Sequence, residues 1–206
     1  MEKNIGGRWV LLLLMATCSH EQKITAKTFD FEHLINEQVN ELSQRGRILD
    51  KTGKVSNKKS DTTFVPTKSA WQAELEIFQQ LNDINRLVGR SKYKITDPLE
   101  DTKSNLKIRE YVASKPKGDA WTSETLPSIN SMKFYYHDDF SQLKRIEATI
   151  AENNMLYSNS RDLIMEFEEE DGTPVLNRYS MFGFQKMMFR DTVRFSILGQ
   201  IEHSSH

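Results

Sequence analysis

Cysteine, proline and glycine are scarce in this chain of 206 residues, which has one, five and nine of them respectively. A single cysteine cannot form a disulfide within the chain, so a small disulfide-stabilised fold is excluded. Long apolar runs are also missing, because the longest extends only from Trp9 to Ala16. A transmembrane helix needs about 20 mostly apolar residues, so this run is too short to span a bilayer.

Local catalytic motifs are missing as well. The chain has no Gly-rich phosphate-binding loop, no Gly-x-Ser-x-Gly motif, no His-Glu-x-x-His pair and no Cys-x-x-Cys pair. Its formal net charge of −1 gives none of the basic excess that nucleic-acid binding requires. The sequence therefore predicts no catalytic residue, no cofactor, no metal site and no nucleic-acid partner.

The N-terminus has the order of a secretory signal peptide. Two cationic residues, Lys3 and Arg8, precede the apolar run, and small residues separate that run from the only cysteine, Cys18. Residues 15–18, Met-Ala-Thr-Cys, resemble the lipobox of bacterial lipoproteins. This resemblance implies that the chain is cleaved before Cys18 and that the cysteine thiol carries diacylglycerol.

Cys18 thus divides the chain into a leader and a mature protein. We predict a signal peptide over residues 1–17, an acylated Cys18 with a flexible tether over residues 18–28, and a single α+β domain over residues 29–206. Each buried methylene of an acyl chain contributes about 0.8 kcal/mol, so several chains would hold the protein on a membrane. A secreted protein with an incidental Cys18 and a cytoplasmic protein are the two alternatives.

Two segments have the apolar periodicity of amphipathic helices. In the first, Asp30 is placed to cap the helix and Gly46 to end it, and one face carries Phe31, Leu34, Ile35, Gln38, Val39 and Leu42. In the second, Ser69 is the predicted N-cap and Gly89 the predicted end, and one face carries Trp71, Leu75, Phe78 and Leu81. Both apolar faces are expected to be buried.

Residues 47–65, between these helices, are rich in cations. They are interpreted as two short strands around a turn at residues 51–53, or as a loose basic hairpin. Its five cationic residues are Arg47, Lys51, Lys54, Lys58 and Lys59. They could contact anionic lipid headgroups, but a solvated hairpin is the simpler interpretation because Asp50 and Asp61 interrupt the run.

Beyond Ser91 the apolar period changes to two, which predicts half-buried strands. The alternating apolar sets are Leu106, Ile108 and Val112; Met132, Phe134 and Tyr136; Ile146, Ala148 and Ile150; and Leu163, Met165 and Phe167. Two more strands are predicted at 175–189 and 193–201, and short turns favour antiparallel pairing. We predict an α+β fold in which two amphipathic N-terminal helices pack on a curved antiparallel β-meander of about six strands.

The segment from Tyr179 to Phe189 has apolar side chains on both faces of its predicted strand. Either a second cover buries both faces, which is the simpler interpretation, or one face lines an apolar cavity. Methionine adapts to ligands of varied shape and recurs at binding surfaces. The candidate ligand or partner surface therefore comprises Met181, Phe182, Phe184, Met187, Met188 and, from the long loop over residues 115–127, Trp121.

Polar clusters that could carry chemistry are few. His137, Asp138 and Asp139 combine an imidazole with two carboxylates, but no second segment offers ligands at a matching spacing, so a turn is the simpler interpretation. The acidic run Glu168–Asp171 lacks the alternating spacing of a calcium loop and is interpreted as a charged hairpin tip. An envelope hydrolase that uses His137 and Asp139 is the alternative function.

The anchor, the start of the predicted sheet and three short segments resemble a group of uncharacterised cell-envelope lipoproteins of Bacteroidota. The segments are residues 71–78 (Trp-Gln-Ala-Glu-Leu-Glu-Ile-Phe), 83–85 and 154–157. The resemblance implies an envelope location and an α+β fold, and it transfers no catalytic or binding residue. We expect a non-enzymatic protein, anchored to the outer membrane through Cys18 and facing the periplasm, that binds a hydrophobic ligand or an envelope protein.

Overall fold

The computed structural model describes residues 29–85, 92–114 and 128–203. Within them it contains two α-helices, α1 (Phe31–Gln44) and α2 (Lys68–Gln79). The strands are β1 (Ile48–Val55), β2 (Lys58–Phe64), β3 (Tyr93–Glu100), β4 (Lys107–Ala113), β5 (Ile129–Tyr136), β6 (Leu143–Asn153), β7 (Tyr157–Glu170), β8 (Thr173–Met187) and β9 (Val193–Glu202). Short 3-10 helices follow α2 at Gln80–Asn85 and precede β6 at Phe140–Gln142.

The strands form one antiparallel sheet in the order β2-β1-β9-β8-β7-β6-β5-β4-β3. The predicted six-stranded meander with two helices packed on it is therefore wrong, because nine strands make up most of the described chain. The six predicted strands correspond to β4 through β9, and the sheet also includes β1, β2 and β3. β3 was not predicted because it contains Pro98, and proline is unfavourable inside a strand. β1 shows little apolar alternation because Lys51 and Gly53 occupy two of its inner positions, and β2 shows little because it is exposed at every position.

β1 and β2 occupy the predicted basic hairpin, but the turn between them lies at Ser56 and Asn57 rather than at residues 51–53. Ser56 has a φ of 52°, in the left-handed region that such a tight turn uses. β1 also pairs along its whole length with β9, from Ile48 opposite Glu202 to Val55 opposite Phe195. The hairpin is thereby joined to the C-terminal strand and extends the main sheet.

The boundaries of α1 agree with its sequence signals. The Asp30 side chain accepts a hydrogen bond from the His33 backbone nitrogen at 3.0 Å, and Gly46 has a φ of 58°, which suits glycine at the end of a helix. All six predicted face residues are buried. Among them, Gln38 donates to the Pro174 carbonyl at 2.9 Å and accepts from the Leu176 nitrogen at 2.7 Å, so it binds α1 to the start of β8.

α2 starts slightly earlier than predicted. Its N-cap is Thr67, whose side chain accepts a hydrogen bond from the Ala70 nitrogen at 3.3 Å, so the predicted cap at Ser69 is wrong. The predicted apolar face is confirmed, because Trp71, Leu75 and Phe78 are all fully buried. α2 ends at Gln79 and a 3-10 helix follows, so the α-helix is shorter than predicted, while Gly89 itself lies outside the described residues. Among the described residues, neither helix has the length and hydropathy needed to cross a bilayer.

Both helices pack on the same face of the sheet, here called the inner face, and they share one apolar core with it. A helix of 12 residues is about 18 Å long, whereas a strand of 15 residues such as β8 is about 50 Å long. The helices therefore cover only part of the long strands. On β7, for example, the buried positions are Leu163, Met165 and Phe167, and residues 157–162 are not buried.

Candidate functional site

A groove runs along the inner face of β1, β2 and β9, beside α2. Alternate residues of β1, from buried Leu49 to Val55, lie on this face and are opposite Ile201 to Phe195 of β9. The groove has a volume of about 790 Å³. Its apolar floor consists of Val55, Phe64, Val193, Phe195 and Ile197.

The floor of the groove remains accessible because neither α1 nor α2 extends over it. Val55, Phe64 and Val193 are 54, 39 and 42% exposed, although each is a large apolar side chain. Val55 is opposite Phe195, two residues from Val193 on the same face, so these three form a continuous patch. Phe64 is opposite Leu49 and lines the other end of the groove. Contiguous apolar patches of this kind mark binding surfaces on soluble domains.

Gly53 keeps the middle of the groove open. It lies on the inner face of β1 opposite Ser60 of β2 and Ile197 of β9. A Cβ added at Gly53 would have only the Ser60 carbonyl oxygen within 4 Å, at 3.9 Å. The space above Gly53 is therefore unfilled by the protein, and a larger side chain at this position would enter the groove.

The groove continues beneath α2 into a smaller cavity of about 200 Å³. The two spaces share Lys51, Glu74 and Ile197 in their walls. The inner cavity is otherwise lined mainly by apolar groups, including those of Phe78 and Met181. A linear apolar chain that lay in the groove could thus extend its end under the helix.

Lys51, Glu74 and Tyr179 form a polar cluster where the two spaces meet. The Lys51 ammonium lies 2.6 Å from Glu74 Oε1 and 2.8 Å from Oε2, and the Tyr179 hydroxyl donates to Oε1 of the same carboxylate. Burial, followed by the hydrogen bond to Glu74 and its negative charge, raises the pKa of the Tyr179 hydroxyl. The cluster binds α2 to β1 and β8 and fixes the inner end of the groove.

Gly199 makes room for the Tyr179 ring in this cluster. Gly199 lies directly opposite Tyr179 in the β8–β9 pairing. A Cβ at Gly199 would lie 2.2 Å from two ring carbons of Tyr179, far inside van der Waals contact. Glycine at this position therefore lets the ring lie flat over β9 and lets its hydroxyl reach Glu74.

Lysines surround the outer part of the groove. Lys51, Lys54, Lys58 and Lys59 all contribute to its walls. Lys51 pairs with Glu74, and Lys59 pairs with Asp61 at 3.0 Å, whereas no ion pair between described residues involves Lys54 or Lys58. Lys58 is opposite Val55 and so lies on the inner face, where its ammonium is available for the anionic head of a ligand whose apolar part occupies the floor. Lys54 is opposite Ser196 and borders the groove from the other face of the hairpin.

The residues predicted as a ligand surface do not converge on one site. Met181 lies on the inner face and lines the cavity beneath α2, whereas Phe182 and Phe184 lie on the opposite face of β8. Met187 and Met188 are at the end of β8, where both are exposed. Trp121 and Cys18 lie outside the described residues, so the structure does not place them.

The sequence reasoning missed most of the groove floor. Phe64 at the end of a polar segment and the alternation of Val193, Phe195 and Ile197 are the available signals, and each is also compatible with an ordinary strand. The cationic residues between Arg47 and Lys59 were recognised, but their association with an apolar floor requires the pairing of β1 with β9. That pairing joins segments that are far apart in the sequence.

The turn at His137, Asp138 and Asp139 is occupied by local hydrogen bonds. Asp139 accepts from the backbone nitrogen and the hydroxyl of Ser141, at 2.7 and 2.5 Å, and so caps the short helix that follows. Asp138 lies 3.2 Å from the Lys107 ammonium. Within the described residues, no group of three or more His, Cys, Asp or Glu side chains is arranged to hold a metal ion. The prediction of a turn is confirmed here.

The acidic run Glu168–Asp171 ends β7 at its turn into β8, as predicted for a charged hairpin tip. Its carboxylates do not converge on one centre, although Glu170 and Asp171 share Arg45. Glu168 accepts from the Asn177 amide at 2.6 Å, Glu169 lies 3.5 Å from the Lys144 ammonium, and Glu170 pairs with two arginines. The hydrogen bonds and ion pairs of this acidic run therefore stabilise this end of the sheet.

Comparison of the chain with protein-family models, with curated proteins and with solved structures finds no match of any of the three kinds. The groove and its lysines are therefore the basis on which a function is assigned.

Proposed function

We propose that this protein is a non-enzymatic binding protein of the cell envelope that holds the apolar chain of an anionic amphiphile in the groove. The observation that carries this proposal is the joining of an exposed apolar floor with Lys58, an inner-face lysine that has no ion pair among the described residues. Ligand sites are typically about 300–1,000 Å³ and mostly apolar, with a few polar groups that orient the ligand. The groove, at about 790 Å³, has this size and composition.

The orientation of the ligand follows from the position of the charges. Lys58 lies on the inner face near the turn between β1 and β2, at the outer end of the groove, and would contact a carboxylate or phosphate head. The cavity beneath α2 is at the inner end and would take the end of the apolar chain. Lys51 is already neutralised by Glu74, so it separates the two spaces without competing for the head group.

A photoactivatable fatty acid tests this assignment on the full chain in its own membrane. We expect crosslinks, mapped by tandem mass spectrometry, to concentrate in residues 51–64 and 193–197. Replacing Gly53 by Phe fills the groove from an inner-face position with no backbone clash, so G53F is expected to remove most of this labelling. The methyl ester of the same probe is expected to label less, because it lacks the anionic head.

Ser196→Phe is the matched control for G53F. Ser196 is exposed and lies on the opposite face of β9, where a phenyl group cannot enter the groove. Labelling is expected to persist in S196F. If G53F retains the labelling of the unchanged chain, or if the probe reacts mainly outside the two segments, the groove is not the ligand site.

We further propose that Cys18 anchors the protein to the outer membrane, with the folded part facing the periplasm. The order of charged, apolar and small residues before Cys18 supports this, as does the resemblance of residues 15–18 to a lipobox. Membership among envelope lipoproteins of Bacteroidota is proposed on the same grounds. An envelope protein that covers the groove is the alternative occupant, and it would appear as a crosslinked complex rather than as a labelled peptide.

Radiolabelled palmitate tests the anchor directly. We expect the label to be incorporated into the mature chain and intact mass to show loss of residues 1–17. Cys18→Ala is expected to abolish both the label and the cleavage, because the thiol is the acceptor. A chain that retains its leader and takes up no palmitate would show that Cys18 is not a lipid attachment site.

A further inference from the structure

Two neighbouring turns carry the most exposed large apolar side chains of the described residues. Phe189 is 97% exposed in the turn between β8 and β9, and Met155 and Leu156 are 86 and 66% exposed in the turn between β6 and β7. The Met188 nitrogen donates to the Leu156 carbonyl at 2.8 Å and holds the two turns together. Met155, Leu156, Met188 and Phe189 are together called the apolar tip.

Packing within the protein does not account for the apolar tip. Phe189 has a φ of 63°, a left-handed conformation that is unfavourable for a bulky residue. Glycine or asparagine would satisfy that backbone more readily, and either would avoid exposing a phenyl ring to water. A strained position that presents an almost fully exposed phenyl ring is typical of a group that becomes buried on binding.

Cationic side chains surround the apolar tip. Lys186 and Arg190 flank Met188 and Phe189 in sequence, and Arg194 is the second residue of β9. The Ser56 nitrogen donates to the Arg194 carbonyl at 2.8 Å, which brings the turn between β1 and β2, with Lys58, to the same end of the sheet. No ion pair between described residues involves any of these four cations, and Asp191 is the acidic residue within the turn.

We propose that the apolar tip inserts into the interfacial region of an anionic lipid bilayer while the surrounding cations contact its headgroups. Apolar side chains at a tip gain free energy when they enter the acyl boundary, and Lys and Arg near an anionic surface add electrostatic attraction. A protein partner would be expected to bind through a mixed surface with paired charges, whereas at the tip the cations Lys186, Arg190 and Arg194 outnumber Asp191 and surround exposed apolar groups. The bilayer is the partner that fits this charge pattern.

The apolar tip is separate from both proposals made above. The lipid on Cys18 would tether the chain to a membrane, whereas the tip would fix which end of the sheet contacts it. The groove could be empty and the tip could still insert. Val55 and Val193, at the outer end of the groove, lie at the same end of the sheet as the tip, so insertion would also bring the groove opening to the lipid surface.

Tryptophan quenching by brominated phospholipids tests the insertion. Phe189→Trp is introduced into the full chain, which is reconstituted with phosphatidylglycerol vesicles that contain brominated acyl chains. We expect the emission of the added tryptophan to shift to shorter wavelength and to be lost in the brominated vesicles. Leu156→Trp is a second probe of the same tip, which keeps the test usable if one substitution disturbs folding.

Lys103→Trp is the matched control. Lys103 is exposed in the turn between β3 and β4, at the opposite end of the sheet, and its variant shares every other tryptophan and the whole N-terminal segment. Its emission is expected to remain unquenched. Lys186→Gln with Arg190→Gln, in the Phe189→Trp background, is expected to weaken quenching, as is high salt. Quenching of the tip probes that does not exceed that of the Lys103→Trp control overturns the proposal.

Discussion

Arg47 shows how strongly tertiary contacts decide the role of a single charged residue. The sequence predicts a solvated basic hairpin that includes Arg47, yet this residue is only 4% exposed. Its guanidinium donates to Glu170, which also accepts from Arg45 at 2.6 Å. Since Glu170 is 123 residues away from Arg47 in the chain, this pairing could not be predicted from local sequence.

Glu170→Gln is expected to destabilise the protein strongly. The substitution leaves the buried Arg47 charge without its counter-ion, and removing one partner of a buried pair costs about 3–5 kcal/mol. Urea denaturation followed by circular dichroism measures the change in the free energy of unfolding. Glu169→Gln is the control, because Glu169 is 48% exposed and lies 3.5 Å from Lys144, so its loss is expected to cost about 1 kcal/mol or less.

Equal effects of the two substitutions would contradict the structural role assigned to Glu170. The position of the acidic run at a hairpin tip was predictable, because Asp171 and Gly172 favour a tight reversal. Which of its four carboxylates is important was not predictable. Consecutive acidic residues look alike in sequence, and only their distances to cations on other elements distinguish them.

At the scale of elements, the helices could be predicted because their signals are local. A capping side chain, a period of 3.6 and a terminal glycine define α1, and a fully buried apolar face defines α2. The Ser69 cap was wrong because Thr67, two residues earlier, offers an equivalent hydroxyl and takes the role. Boundary errors of this size are expected wherever capping residues occur in succession.

Strands with a clear inner face were also predictable. For β4 the strand was predicted, but the face that is buried was not. Its apolar set of Leu106, Ile108 and Val112 suggests one face, but Tyr111 is the buried residue and Val112 is 40% exposed. Arg109 shares the inner face with Tyr111 because its guanidinium pairs with Asp97 at 2.5 Å and covers the Phe140 ring. A paired arginine at an inner position reverses the pattern that alternation alone indicates.

The groove and the apolar tip depend on how much of the sheet the helices cover. Sequence periodicity gives the apolar face of α2 but neither its length nor its position on the sheet, so it cannot show which strand segments stay uncovered. The two-sided apolar pattern of residues 179–189 did indicate that something unusual occurs along β8. The apolar residues of this segment have different surroundings. Met181 lies under α2, Phe182 is 43% exposed on the other face, and Phe189 belongs to the tip.

For the whole molecule, the two ends of the sheet differ in how their charges are used. At one end, Arg45, Arg47 and Glu170 form mutual pairs that join α1 to the turn between β7 and β8. At the other end, Lys58 and Arg190 have no ion pair among the described residues. Stability is thus supplied by one end and by the core, while the other end carries the exposed groups assigned to binding.

High pH is expected to destabilise the whole fold through its tyrosines. Burial is the main cause that raises the pKa of Tyr93, Tyr135 and Tyr136 to about 12, and the pKa of Tyr179 is raised as well. In the unfolded chain these hydroxyls titrate near pH 10, at about their ordinary value. The native state therefore holds more protons than the unfolded state between about pH 10 and 12, and the free energy of unfolding falls across that range.

The ultraviolet absorbance of tyrosinate measures this difference directly. All six tyrosines lie within the described residues, so the native titration is expected to lie at higher pH than the titration of the same chain in urea. Tyr136→Phe is expected to remove one of the late-titrating groups, because Tyr136 is only 6% exposed and donates to Asp97 at 2.7 Å. Native and unfolded curves that superimpose would show that these hydroxyls are solvated, and the stability of the fold would then not depend on their protonation.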